Sequence, residues 1–429
     1  MKFHSRLIVL IASATLAGHA MAEETRFSMS VGATWSDNVG RTSTDEDSEL
    51  MPEAGLILAV NREGRLDADI SADLQYRGYS DDAFDDELLG GLNARLGFEF
   101  VPDRLSWIVE DNFGQSFIDP QQVETPDNRQ NLNYFSTGPD VLLPLGSRTQ
   151  LSISGRWSDV NYEEGDIDSQ RLSGVVGLIR SMSAASSMSV NVSAQRVEFD
   201  ESPPNSDYDM QSAYLGYQAK GARTSLSVRG GYTTLRDFGE SSDGPLLDLS
   251  LTRSLGSRSS LTLNVGTQFY DSAESFRRER EFIDVVVGNE DVIPSRDPFQ
   301  QDYAIAIWSI AGARSTLNIS ADWRSEDHET DTALDRKRVA GSANLSRRLG
   351  SRVSASLFGS YSNEDYDVGN VDFGEWSAGA GLEWSLSSSI AVSLRGEHYD
   401  GSGDTSAGSN LRDYSENRYT LRLTYSPGR

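Results

Sequence analysis

The sequence predicts an all-β chain: a transmembrane antiparallel up-and-down β-barrel of 16 to 20 strands, with short periplasmic turns and long acidic extracellular loops. Three observations carry that prediction. Tight turns recur at a nearly constant spacing. Runs of about 10–13 residues between them alternate apolar and polar side chains. At the far end of each pair of runs lies a longer polar segment, usually acidic.

The turns centre on Gly64, Asp103, Gly146, Ser183, Gly221, Gly256, Gly312, Gly350 and Ser387. Their intervals are 39, 43, 37, 38, 35, 56, 38 and 37 residues. Such a period marks a repeated supersecondary unit. The string LGSR fills three turns and GAR two. Gly is expected there for a backbone conformation that other residues resist. The far segments are 80–87, 117–131, 162–168, 200–207, 237–244 and 399–413.

Each run divides into two faces. Leu66, Ala68, Ile70, Ala72, Leu74 and Tyr76 share one; Asp67, Asp69, Ser71, Asp73, Gln75 and Arg77 share the other. Leu151, Ile153, Gly155 and Trp157 oppose Gln150, Ser152, Ser154 and Arg156 in the same way. A propeller blade would hold four short strands per repeat, and a sandwich strands of about 5–6 residues. Two long strands per repeat fit a membrane barrel, whose strands need about 9–11 residues. Nine turns and ten outer loops give twenty strands, from about 26–36 to 418–426. A one-residue slip would aim Arg156, Asp322 and Arg395 at lipid, where an Arg at the midplane costs about 2–4 kcal/mol.

Trp35, Tyr76, Trp157, Tyr232, Phe269, Trp323 and Tyr361 come late in strands running toward the long loops. They are expected in one belt at the outer interface. Asp111 and Arg196 break the apolar face, so both are expected near the outer rim or at bulges.

Lys2 and Arg6, an apolar run over 7–17 and Ala20-Met21-Ala22 read as a signal peptide over 1–22, leaving 23–429 as the barrel. The apolar run is too short to span a bilayer. A formal charge of -27 argues against nucleic-acid binding. Cysteine is absent, so an exported chain would be held by pairing and packing alone.

The polar face supplies the site candidates. Asp67, Asp69, Asp73, Arg156, Arg229, Asp322, Arg324, Arg395 and Glu397 are expected to line the lumen. The 56-residue interval holds Arg277, Arg278 and Arg280 beside Phe282, Ile283 and a Val run. That much apolar area is unfavourable in water, so the segment is expected to fold into the mouth or lumen as a constriction. A small surface hairpin is the competing expectation. Beyond the first 22 residues only His328 and His398 occur, with no acid–base partner at a recognisable spacing. A rim enzyme would rest on His398 beside Glu397 and Asp400, and no enzyme is expected. The acidic stretches 81–86 and 363–369 could bind Ca²⁺, but 363–369 has its Gly one residue late for an EF-hand loop and lacks the distal Glu, so both are expected as solvated acidic loops. No metal or cofactor is expected, beyond weak divalent bridging to lipopolysaccharide.

The strings SVGATWSDNVG (30–40) and NYFSTGPDVLLPLGSRTQLSISGRWSDVNYEE (133–164) resemble outer-membrane β-barrel porins found beside exopolysaccharide-biosynthesis genes. Some of those accompany the PEP-CTERM/exosortase system. The resemblance implies a Gram-negative outer-membrane location, with lipid and lipopolysaccharide as surroundings. It also implies a part in exopolysaccharide production or export with its machinery, and no catalytic residues. The functional expectation is a channel for polar solutes or exopolysaccharide. The alternative is a docking barrel with a closed lumen that binds surface polysaccharide or partner proteins.

Overall fold

The computed structural model describes residues 24–427, apart from 45, 82, 166, 201–206, 238–239, 281–291, 369–370 and 405–412. The expected signal segment lies outside the described residues, as do Phe282, Ile283 and the Val run after them.

Alternation over this length leaves each run no way to bury its backbone except by pairing, and the strands follow. They are β1 Glu24–Ser36, β2 Glu49–Arg62, β3 Leu66–Arg77, β4 Glu87–Val101 and β5 Leu105–Phe117. Next come β6 Arg129–Pro144, β7 Thr149–Tyr162, β8 Ser169–Ser183, β9 Ser186–Phe199 and β10 Tyr208–Lys220. Then β11 Thr224–Asp237, β12 Glu240–Gly256, β13 Ser259–Tyr270, β14 Phe299–Ala311 and β15 Ser315–His328. The last are β16 Arg336–Arg348, β17 Val353–Tyr366, β18 Val371–Ser385, β19 Ile390–Asp404 and β20 Tyr414–Tyr425. One helix, α1 (Ser272–Arg280), follows β13. Every strand pairs antiparallel with its sequence neighbour, and β20 pairs with β1, Met29 opposite Tyr425 and Ser36 opposite Arg418. The ring therefore has twenty strands and no free edge, the condition for crossing lipid with strands.

The nine tight turns all form at one end, but glycine closes them for a different reason than expected. Gly146, Gly256 and Gly350 are not among the positive-φ residues, and a Cβ at any of the three would meet open space. What closes the turns is hydrogen bonding. Leu145 and Gly146 N–H both donate to Thr149 O, and Leu349 and Gly350 N–H to Val353 O. Leu386 and Ser387 repeat the pattern onto Ile390 O with no glycine. Only Gly64 and Asp103, with φ of 137° and 57°, take the left-handed region in a turn.

The two faces separate as the alternation requires. The outward row carries Val192, Leu215 and Leu357, which are 58%, 58% and 59% exposed. Water would not tolerate such a continuous apolar surface; hydrocarbon does. Trp35, Tyr76, Trp157, Tyr232, Trp323 and Tyr361 lie exposed on this row toward the loop end. Trp376 and Tyr419 join them from returning strands, Trp376 opposite Tyr361 and Tyr419 stacked on Trp35 at 6.0 Å. A second belt lies toward the turns: Phe98, Trp107, Trp308 and Trp384. Trp107 and Trp308 donate their indole N–H to Thr137 and Ser259. Two girdles bracket the apolar band, as in outer-membrane barrels.

Three expectations need correction. Phe269 is not in the belt: it is 6% exposed and packs with Val197, Phe199, Tyr208 and Leu235. The cause is that β12 pairs with β13 only up to Leu247 and Thr267, so Phe269 folds over Gly244 at the rim. Asp111 sits mid-strand opposite Ala94 rather than at the rim, in unbroken register. The Asn133 amide donates to it at 2.6 Å, so its carboxylate meets a polar side chain rather than lipid. Arg196, by contrast, does lie near the outer rim, three residues before β9 ends at the loop side, and pairs there with Glu198 at 2.7 Å on the exposed face. The bulges lie elsewhere, at Glu99/Val101, Ser181/Ser183 and Ser254/Gly256. Finally, 237–244 is no long loop, since β12 starts at Glu240 opposite Asp237, and 363–366 belongs to β17.

Candidate functional site

The inner face is the candidate site. On the turn side it is a wall of hydroxyls and amides: Ser152 and Ser154, Ser225 and Ser227, Thr316 and Asn318, Ser354 and Ser356, exposed or half-buried. These short polar groups follow from the inward half of each alternating run.

Register places all nine sequence-predicted lumen residues on this inner face. Asp67 and Asp69 are exposed, and Asp73 shares the face of Gln75 and Glu53, which Arg422 bridges. Arg156 pairs with Asp140 at 2.8 Å and Arg229 with Asp248 at 3.3 Å. Arg395 pairs with Glu397 at 2.5 Å and lies 4.0 Å over the Phe358 ring. That ring reaches it across Gly379, where any side chain would collide. Asp322 and Arg324 are different: they are buried. With Glu326 they form an i, i+2, i+4 row on β15 that meets Arg336 and Arg338 on β16 and Glu364 on β17. Opposite charges alternate across three strands and lock that wall.

Two inserted segments reach into the loop half of the barrel. The first is 118–128, shaped by Asn128, whose amide donates to Asp119 O and Val123 O and whose Oδ1 accepts from Asp119 N–H. From between β5 and β6 it reaches the far side of the ring, where Tyr366 on β17 donates to Pro120 O at 3.4 Å. Arg41, from the β1–β2 connection, meets it. The buried Arg41 guanidinium bonds Glu416 at 3.1 Å and reaches Glu375 and Glu124 at 3.4 Å. A pocket of about 630 Å³ lies among Arg41, Thr42, Gln121, Gln122 and Phe373.

The second segment is the β13–β14 connection, which we call the strap. Asp271 anchors its start: Arg171 on β8 donates to its carboxylate at 2.6 Å, Tyr208 on β10 donates to the same oxygen, and the Glu274 N–H caps the other at 3.0 Å. Helix α1 then packs against the inner wall. Ala273 and Phe276 pack with Leu132, Tyr134, Val160 and Tyr162 of β6 and β7. Arg277 lies over the Tyr134 ring, and Arg278 donates to Asp248 at 3.0 Å and to Tyr303. The side chain of Arg280 is outside the described residues. Val292 belongs to the β6–β7 cluster, yet its neighbour Ile293 packs with Tyr366, Phe373, Leu334 and Val371 on the opposite wall. Two consecutive residues thus join clusters built on opposite walls of the barrel.

Burial alone would push the Asp271 carboxyl up, but Arg171, Tyr208 and the Glu274 N–H hold it below the usual carboxylate range. A carboxyl depressed on folding contributes stability at neutral pH and loses it as pH falls through its folded value. The anchor is therefore expected to hold down to about pH 4 and to release in stronger acid. Single-channel conductance followed from neutral to acid pH checks this; a step at higher pH would assign control to another group.

The histidines do not form a catalytic pair. His398 faces outward beside Trp376 and bonds Asn417 at 3.0 Å, while Glu397 faces inward. His328 is buried at the rim, 3.4 Å from Asp335. Among the described residues no cluster of metal-ligating side chains occurs. Sequence reasoning missed Arg41, Arg171 and Asp271. Arg171 has inward parity, but its partner lies 100 positions away, and no local signal joins them.

No protein-family model matches the sequence, and no curated protein matches it. Among solved structures, the chain is similar to a mutant of the ferric enterobactin receptor PfeA from Pseudomonas aeruginosa. Identity is 8% over 95% of this chain and 81% of that one, with a TM-score of 0.48. For siderophore receptor PirA from Acinetobacter baumannii the values are 9%, 95%, 81% and 0.47. For Pseudomonas aeruginosa OccK2 in complex with glucuronate they are 10%, 95%, 100% and 0.37. These are likenesses of barrel architecture, with no residue-level correspondence.

Proposed function

We propose that this chain is an outer-membrane channel for polar, hydroxyl-rich solutes whose outer mouth is closed by the strap. The observation that carries the reading is the placement of Val292 and Ile293 on opposite walls of a barrel whose turn-side lining is polar. A scaffold with no traffic has no need of a solvated hydroxyl wall, and the strap narrows the path along it. Hydroxyls and amides offer both donors and acceptors, which suits a carbohydrate moving along them without being trapped. Secreted polysaccharide, handed over by an export machinery, is the cargo the family resemblance favours. Seven of the nine inward charged residues, all but the buried Asp322 and Arg324, are with Arg277, Arg278, Arg280 and Phe282 of the strap the proposed selectivity and constriction set. Lipid and lipopolysaccharide surround the two girdles.

The two inserted segments also favour a second reading, a docking barrel whose rim binds surface polymer or partner proteins. Replacing 272–296 with a short Gly-Ser linker separates the two. In planar bilayers the intact chain is expected to conduct weakly and the deletion several-fold more. A deletion that stays sealed rejects the channel and leaves the docking barrel.

A further inference from the structure

The turn end of the barrel carries a charge pattern that the channel reading does not by itself require. In five turns the residue just before the ascending strand is arginine: Arg148, Arg223, Arg258, Arg314 and Arg352. In each, the arginine carbonyl accepts the N–H of the neighbouring strand's end: Ser181, Ser254, Ala311, Arg348 and Ser385 in turn. The ladder therefore extends one residue past the strand. It sets each arginine on the inner-face row, two positions below Gln150, Ser225, Ser260, Thr316 and Ser354. All five are exposed, and none makes an ion pair among the described residues. Two further turns hold Arg65 and Arg104, but these come with Glu63 and Asp103. The five carry no acid of their own.

Two facts mark the pattern as more than a solvated edge. Arg314 and Arg348 face each other directly across a strand pair, the Arg348 guanidinium donating to Ala313 O at 2.7 Å, and like charges so placed are relieved by an anion between them. The opposite end has the reverse sign, with acidic connections at 78–86 and 163–168. An anion is thus attracted to the turn end and repelled from the loop end.

We infer that the arginine ring is a capture site for a polyanionic solute, carboxylate- or phosphate-bearing, that approaches the lumen from the periplasmic side. Guanidinium groups take either anion in two-pronged hydrogen bonds, which the near-absence of lysine in this chain makes the dominant basic chemistry. The ring concentrates the solute at the opening, and the hydroxyl wall above it offers passage without strong trapping. The inward register favours a solute in the lumen over lipid headgroups, which would meet outward residues. This inference rests on the proposed channel.

The test uses the full chain in phosphatidylcholine nanodiscs, with dextran sulfate and neutral dextran of equal size as probes. Arg148→Ser, Arg223→Ser, Arg258→Ser and Arg314→Ser are combined, and unchanged heat-modifiable migration shows that the barrel folds. Dextran sulfate binding is expected to weaken about tenfold or more at low salt and to lose much of its salt dependence, with neutral dextran unaffected. Unchanged dextran sulfate binding overturns the inference. So does a variant whose only loss, in matched nanodiscs that also contain phosphatidylglycerol, is bound phosphatidylglycerol, because the ring is then a lipid contact. In the strap deletion, dextran sulfate is expected to block current from the turn side more than from the loop side; equal block overturns it as well. Binding needs no open lumen, so a sealed barrel that still captures the probe refutes the channel and leaves the ring standing.

Discussion

Arg171→Ala is expected to open the barrel to nearly the conductance of the strap deletion while leaving the wall folded. Arg171 and Asp271 are 4% and 2% exposed at their side chains, and they meet at 2.6 Å. Removing one partner of such a pair strands the other in a low-dielectric site, a loss of about 3–5 kcal/mol. The twenty-strand ladder does not depend on that pair, so the loss falls on the strap alone. Release exposes Arg277 and Arg278, and trypsin should then cut there and nowhere in the wall. Arg171→Met combined with Asp271→Leu removes both charges and fills similar volume. It is expected to restore closure and protease resistance. If Arg171→Ala conducts like the parent and resists trypsin, then the packing of Ala273 and Phe276 holds the strap without the anchor.

Val192→Arg is expected to lower the stability of the barrel in phosphatidylcholine vesicles by about 2–4 kcal/mol. Val192 lies mid-strand on the outward row, between Val176 of β8 and Ala213 of β10. Its neighbour Ser193 has the opposite parity and looks into the lumen, between Val175 and Ser212. Ser193→Arg is therefore expected to change stability little, since the guanidinium extends into water. Urea unfolding midpoints of the two variants measure the difference directly. Equal losses would mean that both faces are packed alike, as in a soluble sandwich, and would end the membrane reading.

Much of the wall was legible along the chain because its rule is local. Parity assigns Asp67 and Leu66 to opposite faces with no knowledge of neighbours, and turn spacing counts hairpins. The same locality explains the misreadings. Phe269 has outward parity, but pairing of β12 and β13 stops short of it, and only the rim around it decides where it packs. Asp111 looks like an error on an apolar face until Asn133, 22 residues on, is seen beside it. Glycine in LGSR suggested a special backbone, whereas Ser387 makes the same hydrogen bonds. The second aromatic girdle was missed because Phe98, Trp308 and Trp384 come late in strands that run toward the turns rather than toward the loops.

The chain by itself determined the antiparallel closed sheet, its strand number within a narrow range and the two chemistries of its faces. Those follow from a two-residue period and from turns, which are interactions between near neighbours in sequence. Tertiary structure alone decided whether the cylinder is open. That depends on Arg171 finding Asp271, Tyr366 finding Pro120, and Val292 and Ile293 finding opposite walls. Such contacts join residues far apart along the chain, and they form only once the ring has closed and brought its far sides within reach of a strap.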